Sequence, residues 1–113
     1  MHEMTIVHSI IEMAEKVMKE HDGRSIEAIN IDIGKLVAVE PVALDLAWDY
    51  AIPNTVLDKA ERRIAEIPGE AKCSHCDTVF ALDTYYAPCP ACGEFDYHIM
   101  NGEQLLIRSL VLH

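Results

Sequence analysis

The chain of 113 residues contains no apolar run approaching the roughly 18 residues of a membrane span, so a soluble protein is expected. Its opening, Met1-His2-Glu3-Met4, lacks the basic n-region, apolar h-region and small-residue cleavage site of an export signal, which predicts a reducing, cytoplasmic setting. Basic residues are scarce. Nine Lys and Arg stand against nineteen Asp and Glu, a net charge of −10, and such a surface repels phosphate backbones. Between Cys73 and Cys92 there is no Lys or Arg at all, so neither nucleic acid nor membrane is an expected partner. Repeats and low-complexity tracts are missing too. No nucleophile–base pair, phosphate loop or carboxylate dyad stands out, so a binding protein rather than an enzyme is expected.

Cysteine is present only as Cys73-Ser74-His75-Cys76 and Cys89-Pro90-Ala91-Cys92. Each Cys-x-x-Cys turn lets two thiolates reach one ion at about 2.3 Å, and two such turns close the tetrahedral S4 shell that zinc prefers. Two rivals are weaker. A disulfide framework would suit an exported chain, and a redox motif would need one pair and leave the other unexplained. The stretch from Cys73 to about Asn101 holds little aliphatic material beyond Val79, Leu82 and Ile99. A structural zinc, contributing on the order of 10 kcal/mol, is therefore expected to hold it together.

The flanks carry the aliphatic core. Val7, Ile10, Ile11, Ala14, Val17 and Met18 follow helical spacing from Met4 to about Glu20, with Thr5 as candidate cap and Gly23 as stop. Ile29, Ile31 and Ile33 alternate as in a half-buried strand ending at Gly34. Glu40-Pro41 opens a second helix, whose Ala43, Leu46, Ala47 and Tyr50 share a face up to Pro53. A polar second strand is expected from about Asp58 to Ile67, at an edge, and a strong one from Leu105 to Leu112. The predicted fold is α+β: two helices packed on a small, mainly antiparallel three-stranded sheet, with an inserted zinc-ribbon-like module. Pro68-Gly69 and Asn101-Gly102 are turn signals at the junctions. The expected division is residues 1–68 plus 102–113 as one domain, nickel-binding on the reading given below, and 69–101 as the zinc-binding domain.

At the N-terminus, the Met1 amine, the His2 imidazole and the amide nitrogens of His2 and Glu3 form one chelating strip. Ni²⁺ and Cu²⁺ favour several nitrogen donors in planar or tetragonal geometry. Imidazole must be neutral and amide protons must leave, so such a site loses affinity in acid. A terminal histidine is otherwise an ordinary bystander.

Met1-His2-Glu3-Met4 leading into Ser9-Ile10-Ile11-Glu12, the segment Gly34-Lys35-Leu36-Val37-Ala38-Val39-Glu40-Pro41, the two cysteine pairs with Gly93, and Asn101-Gly102-Glu103-Gln104-Leu105-Leu106-Ile107 together resemble the HypA/HybF family, in the right order and over nearly the whole chain. The resemblance implies a nickel metallochaperone for [NiFe]-hydrogenase maturation. It implies transient nickel at Met1, His2 and Glu3, and structural zinc at Cys73, Cys76, Cys89 and Cys92. It also implies as partners a HypB-type GTPase and the hydrogenase large subunit, with urease maturation factors for some members. The chain departs from the family pattern at Arg62, where an aliphatic residue is common, within the run Lys59-Ala60-Glu61-Arg62-Arg63.

His98, six residues beyond Cys92, could add a nickel donor or be an exposed ribbon histidine. His75, inside the first cysteine pair, is left outside a shell that four thiolates already fill. The alternative function is a zinc-ribbon adaptor that binds a protein through its acidic surface and carries no transient metal. One stable zinc without exchangeable nickel would identify it.

Overall fold

The computed structural model describes residues 2–113. In chain order the elements are helix α1 (Glu3–Met18), strand β1 (Ile26–Gly34), a 3₁₀ turn (Lys35–Val37), helix α2 (Pro41–Ala51) and strands β2 (Glu61–Ile67), β3 (Glu70–Cys73), β4 (Val79–Ala81), β5 (Tyr97–Asn101) and β6 (Leu105–Leu112). The strands form two three-stranded sheets, ordered β2-β1-β6 and β4-β3-β5. This is the expected α+β class. No helix among the described residues is long and apolar enough to cross a membrane.

The chain divides into two compact units. One holds the residues up to Asp32, Val39–Ala65 and Leu106–His113; the other holds Ile33–Ala38 and Glu66–Leu105. The stretch 69–101 lies inside the second unit, which also takes in the distant segment around Leu36.

In the first unit, α1 buries Ile6, Val7, Ile10, Ile11 and Ala14. It begins at Glu3, with its cap position at His2, three residues ahead of the expected Thr5. His2 is the extended residue ahead of the helix, without a side-chain cap, and its carbonyl accepts the Ile6 amide at 3.2 Å. Thr5 therefore sits inside the first turn, and the Glu3 carboxylate supplies the negative charge that the positive helix end favours. At the other end the helix stops at Met18, and Val17 is largely exposed rather than in the core.

Helix α2 opens as expected, with Pro41 in its first turn and the Glu40 side chain accepting the Val42 amide at 3.1 Å. Its buried face differs from the expected one. Leu44, Ala47 and Trp48 face inward, while Leu46 and Tyr50 are exposed. The helix is apolar on two sides, so spacing fits either face, and burying the large indole of Trp48 decides the rotation. The Arg62 guanidinium lies 5.1 Å from the Trp48 ring centroid and pairs with Asp45. Arg62 thus covers the indole where an aliphatic residue would otherwise sit.

Strand β2 is an edge strand, as its polar sequence implies, but it starts at Glu61. Residues 52–60 form successive turns instead. The Thr55 hydroxyl donates to the Ile52 carbonyl at 2.7 Å and accepts the Leu57 amide at 3.2 Å, and Leu57 is fully buried. Strand β1 buries Ile29, Ile31 and Ile33 as expected, and also Ile26 and Ala28, so its alternation changes phase between Ala28 and Ile29. Arg108 of β6 donates from Nε and an η nitrogen to Asp32 Oδ2 of β1, at 3.1 and 2.9 Å.

The second unit is built on antiparallel pairing of β3 with β4 and β5, with Ala71 opposite Phe80 on one side and Ile99 on the other. Its core joins Leu36, Ala71, Cys73, Phe80, Leu82 and Cys89, flanked by Ala87, Tyr97 and Ile99. The Phe80 and Tyr97 rings meet edge to face, 5.3 Å apart and at 89°. Val79 points outward. The core is thus as small as expected, and two of its members are cysteines.

Candidate metal centre

The first cysteine pair runs from the last residue of β3, Cys73, into the turn before β4, and the second lies between β4 and β5. Both turns close in the same way. The Cys73 carbonyl accepts the Asp77 amide at 3.1 Å and the Cys73 amide donates to the Thr78 carbonyl at 2.9 Å; the Cys89 carbonyl accepts the Gly93 amide and the Cys89 amide donates to the Glu94 carbonyl, each at 2.8 Å. Each loop turns back on a left-handed residue directly after its second cysteine, Asp77 at φ 60° and Gly93 at φ 78°. Glycine reaches this region freely and aspartate tolerates it, which is why these types suit these two positions.

The two turns bring four thiols together. One sulfur from each cysteine lies within 4.8 Å of every other. Cys73 Sγ is 3.5 Å from Cys92 Sγ and Cys76 Sγ is 3.7 Å from Cys89 Sγ. A tetrahedron with metal–sulfur bonds of about 2.3 Å has edges of about 3.8 Å, so these separations suit one ion at the centre. They are far longer than the roughly 2.05 Å of a disulfide, and all four cysteines are free thiols. The first cysteine of each pair is buried and the second exposed, so two sulfurs are embedded in the small core and two face solvent.

Electrostatics points the same way. The Cys76 thiol is pulled down to about 6, first by the hydrogen bond with the Thr78 hydroxyl, 3.1 Å from its sulfur, and then by the Thr78 backbone. The Glu94 amide favours the Cys92 thiolate, yet the neighbouring Cys73 sulfur, loss of solvent and the Cys76 and Cys89 sulfurs push that thiol up to about 12. Four crowded sulfurs resist sharing several negative charges unless a cation compensates them. A soft-ligand divalent ion fits this donor set, and zinc fits both the tetrahedral geometry and the all-sulfur shell.

The His75 amide donates to Cys73 Sγ at 3.4 Å, while its imidazole lies 3.6 Å from Asp96. Its ring is therefore outside the sulfur cluster, as the sequence suggested. Thr78, Asp77 and Glu94 were not singled out from sequence. The αL-tolerant residue after each second cysteine was the available signal for Asp77; Thr78 and Glu94 act through local bonds that no spacing encodes.

Among the described residues, the metal-ligand cluster consists of the four cysteines. His98 is exposed on β5, opposite Lys72 of β3, and contributes no atom to the sulfur site. His2 and Glu3 belong to the first unit. His2 is exposed, and the Glu3 carboxylate accepts the Glu40 amide at 3.2 Å. The Glu3 amide is among the first four of α1, which have no intrahelical acceptor. Met1, also nominated, lies outside the described residues.

Comparison with known proteins supplies the broader setting. Residues 1–112 match the family model described as HypA, hydrogenase/urease nickel incorporation, metallochaperone. The chain is 36% identical to the hydrogenase maturation factor HypA of Geobacter sulfurreducens, covering 97% of both chains. It is also 36% identical to that of Parabacteroides distasonis, covering 99% of this chain and 97% of the relative. The solution structure of the nickel metallochaperone HypA from Helicobacter pylori superposes with a TM-score of 0.71 at 26% identity, over 97% of this chain and 96% of the other.

Proposed function

The chain belongs to the HypA family of hydrogenase maturation factors, and on that premise we propose that it carries Ni²⁺ at its N-terminus and a structural Zn²⁺ in the Cys73, Cys76, Cys89 and Cys92 cluster. The nickel is cargo, held by the Met1 amine, the His2 imidazole and the amide nitrogens of His2 and Glu3, and passed on for [NiFe]-hydrogenase maturation. The zinc is resident. The first unit is the nickel-binding part and the second, which holds 69–101 together with the Leu36 segment, the zinc-binding part, in the cytoplasm, with a HypB-type GTPase and the hydrogenase large subunit as partners.

The observation that carries the reading is the state of the helix start. His2 is exposed and extended, and the amides beside it have no acceptor within α1. Backbone nitrogens of this kind are available to a metal without breaking a helical hydrogen bond. The Glu3 carboxylate, held by the Glu40 amide, anchors the helix start, and in this reading Glu3 serves through its backbone. The sulfur cage supports the complementary role: four thiolates on two closed turns release an ion only when those turns open, whereas an exposed terminus can surrender its ligands one at a time.

The test is nickel titration of the intact chain, of His2→Ala and of a chain lengthened by Gly-Ser ahead of Met1, with zinc content measured alongside. Loss of nickel binding in both variants with zinc retained at one per chain is expected. The lengthened chain keeps every side chain and removes only the free amine beside His2. Unchanged nickel affinity in both would overturn the N-terminal site, and an intact chain that holds one zinc but takes up no nickel would overturn the reading in favour of the zinc-only adaptor.

A further inference from the structure

Helix α2 presents an apolar row that nothing in its own unit covers. Val42, Leu46 and Tyr50 are 65%, 67% and 81% exposed, and their i, i+4, i+8 spacing lines them up as a single ridge along about 12 Å of helix. The inward face is already satisfied by Leu44, Ala47 and Trp48, so this row is surplus to folding. Solvation alone would favour polar residues at all three positions.

The surroundings of the ridge are acidic. Glu40 stands at its N-terminal end, and the exposed Asp45 and Asp49 flank it. Helix α2 contains no Lys or Arg, and the Arg62 guanidinium that reaches it is engaged by Asp45 and the Trp48 ring. The chain as a whole carries −10.

We propose that this ridge is a docking site for a cationic amphipathic helix of a partner protein, whose apolar residues pack against Val42, Leu46 and Tyr50 while Lys or Arg beside them meets Asp49 and Glu40. A row of i±4 side chains is the surface feature that seats into the groove of another helix. Tyrosine and leucine at its centre provide a large contact area with few rotors to immobilise, and the acid rim speeds encounter with a basic partner. The same charge argues against the other occupants. A second copy would bring acid rim to acid rim, and an anionic lipid surface would be repelled. The ridge starts next to the Glu40 amide that donates to Glu3, so a docked partner lies beside the start of α1. The surface stands on its own, however, and does not depend on nickel at that end.

The experiment uses the full-length zinc-loaded chain without nickel and a fluorescent synthetic helix carrying leucines at i, i+3, i+4 and i+7 with lysine flanks. A second peptide has the same leucines with glutamate flanks. Binding is read by anisotropy, and its location by amide chemical shifts. Expected are micromolar binding of the lysine peptide with shifts confined to α2, at least a tenfold loss in Leu46→Ser/Tyr50→Ser, and no binding of the glutamate peptide. Both substituted positions are exposed, and unchanged Trp48 fluorescence verifies the fold. Equal binding by the double variant would overturn the proposal, because charge alone would then be responsible. So would equal binding of both peptides. Self-association in sedimentation equilibrium that disappears in the double variant would assign the ridge to a second copy, and capture by phosphatidylcholine vesicles would assign it to a membrane; either result overturns the proposal.

Discussion

A methyl group added to Gly34 would lie 2.0 Å from the carbonyl oxygen of Gly102. The two backbones are in van der Waals contact where the strand end at Gly34 meets the return of the chain from the cysteine-bearing segment, and the approach is bonded on both sides. The Gly34 amide donates to the Gln104 carbonyl at 2.7 Å and the Leu36 amide to the Gly102 carbonyl at 2.9 Å. Gly102 adopts φ +107° and sits against Gly69. A methyl on Gly69 would in turn meet the Leu82 carbonyl oxygen at 1.8 Å. Three glycines from distant parts of the sequence thus seat Leu36 in the core of the second unit.

Gly34→Ala and Gly69→Ala should each destabilise that unit by about 3 kcal/mol or more, since the obstacle is backbone rather than a movable side chain. Gly93→Ala meets nothing within 4 Å and strains only its φ, so about 1 kcal/mol is expected. Urea titration followed by release of bound zinc to a colorimetric chelator reports the second unit, and Trp48 fluorescence reports the first. Equal midpoints for Gly34→Ala and Gly93→Ala would contradict the close-packing argument.

Removing a buried thiolate should cost more than removing an exposed one. Cys73 and Cys89 are core residues as well as ligands, whereas Cys76 and Cys92 face solvent. Cys73→Ser and Cys89→Ser should lose zinc and the β3-β4-β5 sheet together, because metal binding and folding are one equilibrium in a unit this small. Cys76→Ser and Cys92→Ser should keep a three-thiolate site of reduced affinity. Zinc content after dialysis and far-UV circular dichroism distinguish the two classes.

Alkaline pH should loosen the second unit before the first. The Tyr85 hydroxyl donates to Glu103 at 2.8 Å, which raises its pKa, with lost solvent and the Glu103 charge adding to the effect. The hydrogen bond and charge of Asp83, 3.0 Å away, raise that of Lys35. In both cases the folded state holds its proton more tightly than the unfolded state. The stabilisation is complete below the ordinary values of about 10 and is lost as pH rises through the raised ones. Tyr85→Phe should flatten the decline in stability above about pH 10, measured as the urea midpoint of zinc release. An unaltered decline in Tyr85→Phe and Lys35→Met would show that neither proton is linked to folding.

Much of this architecture was legible in sequence. The spacing of the four cysteines identified their cluster, the alternating isoleucines located β1, and the bounds of β6 matched to the residue. What spacing could not carry was partner choice. On α2 two apolar faces compete, and Trp48 wins because of what lies beneath it. Leu36 reads as a residue of the flanking domain, yet it completes the core around Cys73 and Cys89, since only the meeting of Gly34 with Gly102 brings it there. Pro68-Gly69 and Asn101-Gly102 read only as turn signals at the junctions, but Gly69 and Gly102 are close-packing positions. Thr5 looked like a cap because its residue type suits one, while Glu3 and the His2 carbonyl start the helix sooner.

Arg62 offers the sharpest contrast between a sequence anomaly and its structural role. It departs from an aliphatic pattern, yet its guanidinium covers Trp48 and pairs with Asp45 on the same helix. Cation–π attraction and the stem packed on the indole should together be worth about 1 to 2 kcal/mol, and the exposed ion pair little beyond that. Arg62→Ala should therefore lower first-unit stability by that amount and shift Trp48 emission to the red as water reaches the ring. Arg62→Leu restores apolar cover without charge and should recover at least half of the loss, in low and high salt alike. Asp45→Asn leaves the guanidinium over the ring and should be close to neutral. If Asp45→Asn instead proved as costly as Arg62→Ala, the ion pair and not the cover over Trp48 would be what holds β2 against α2.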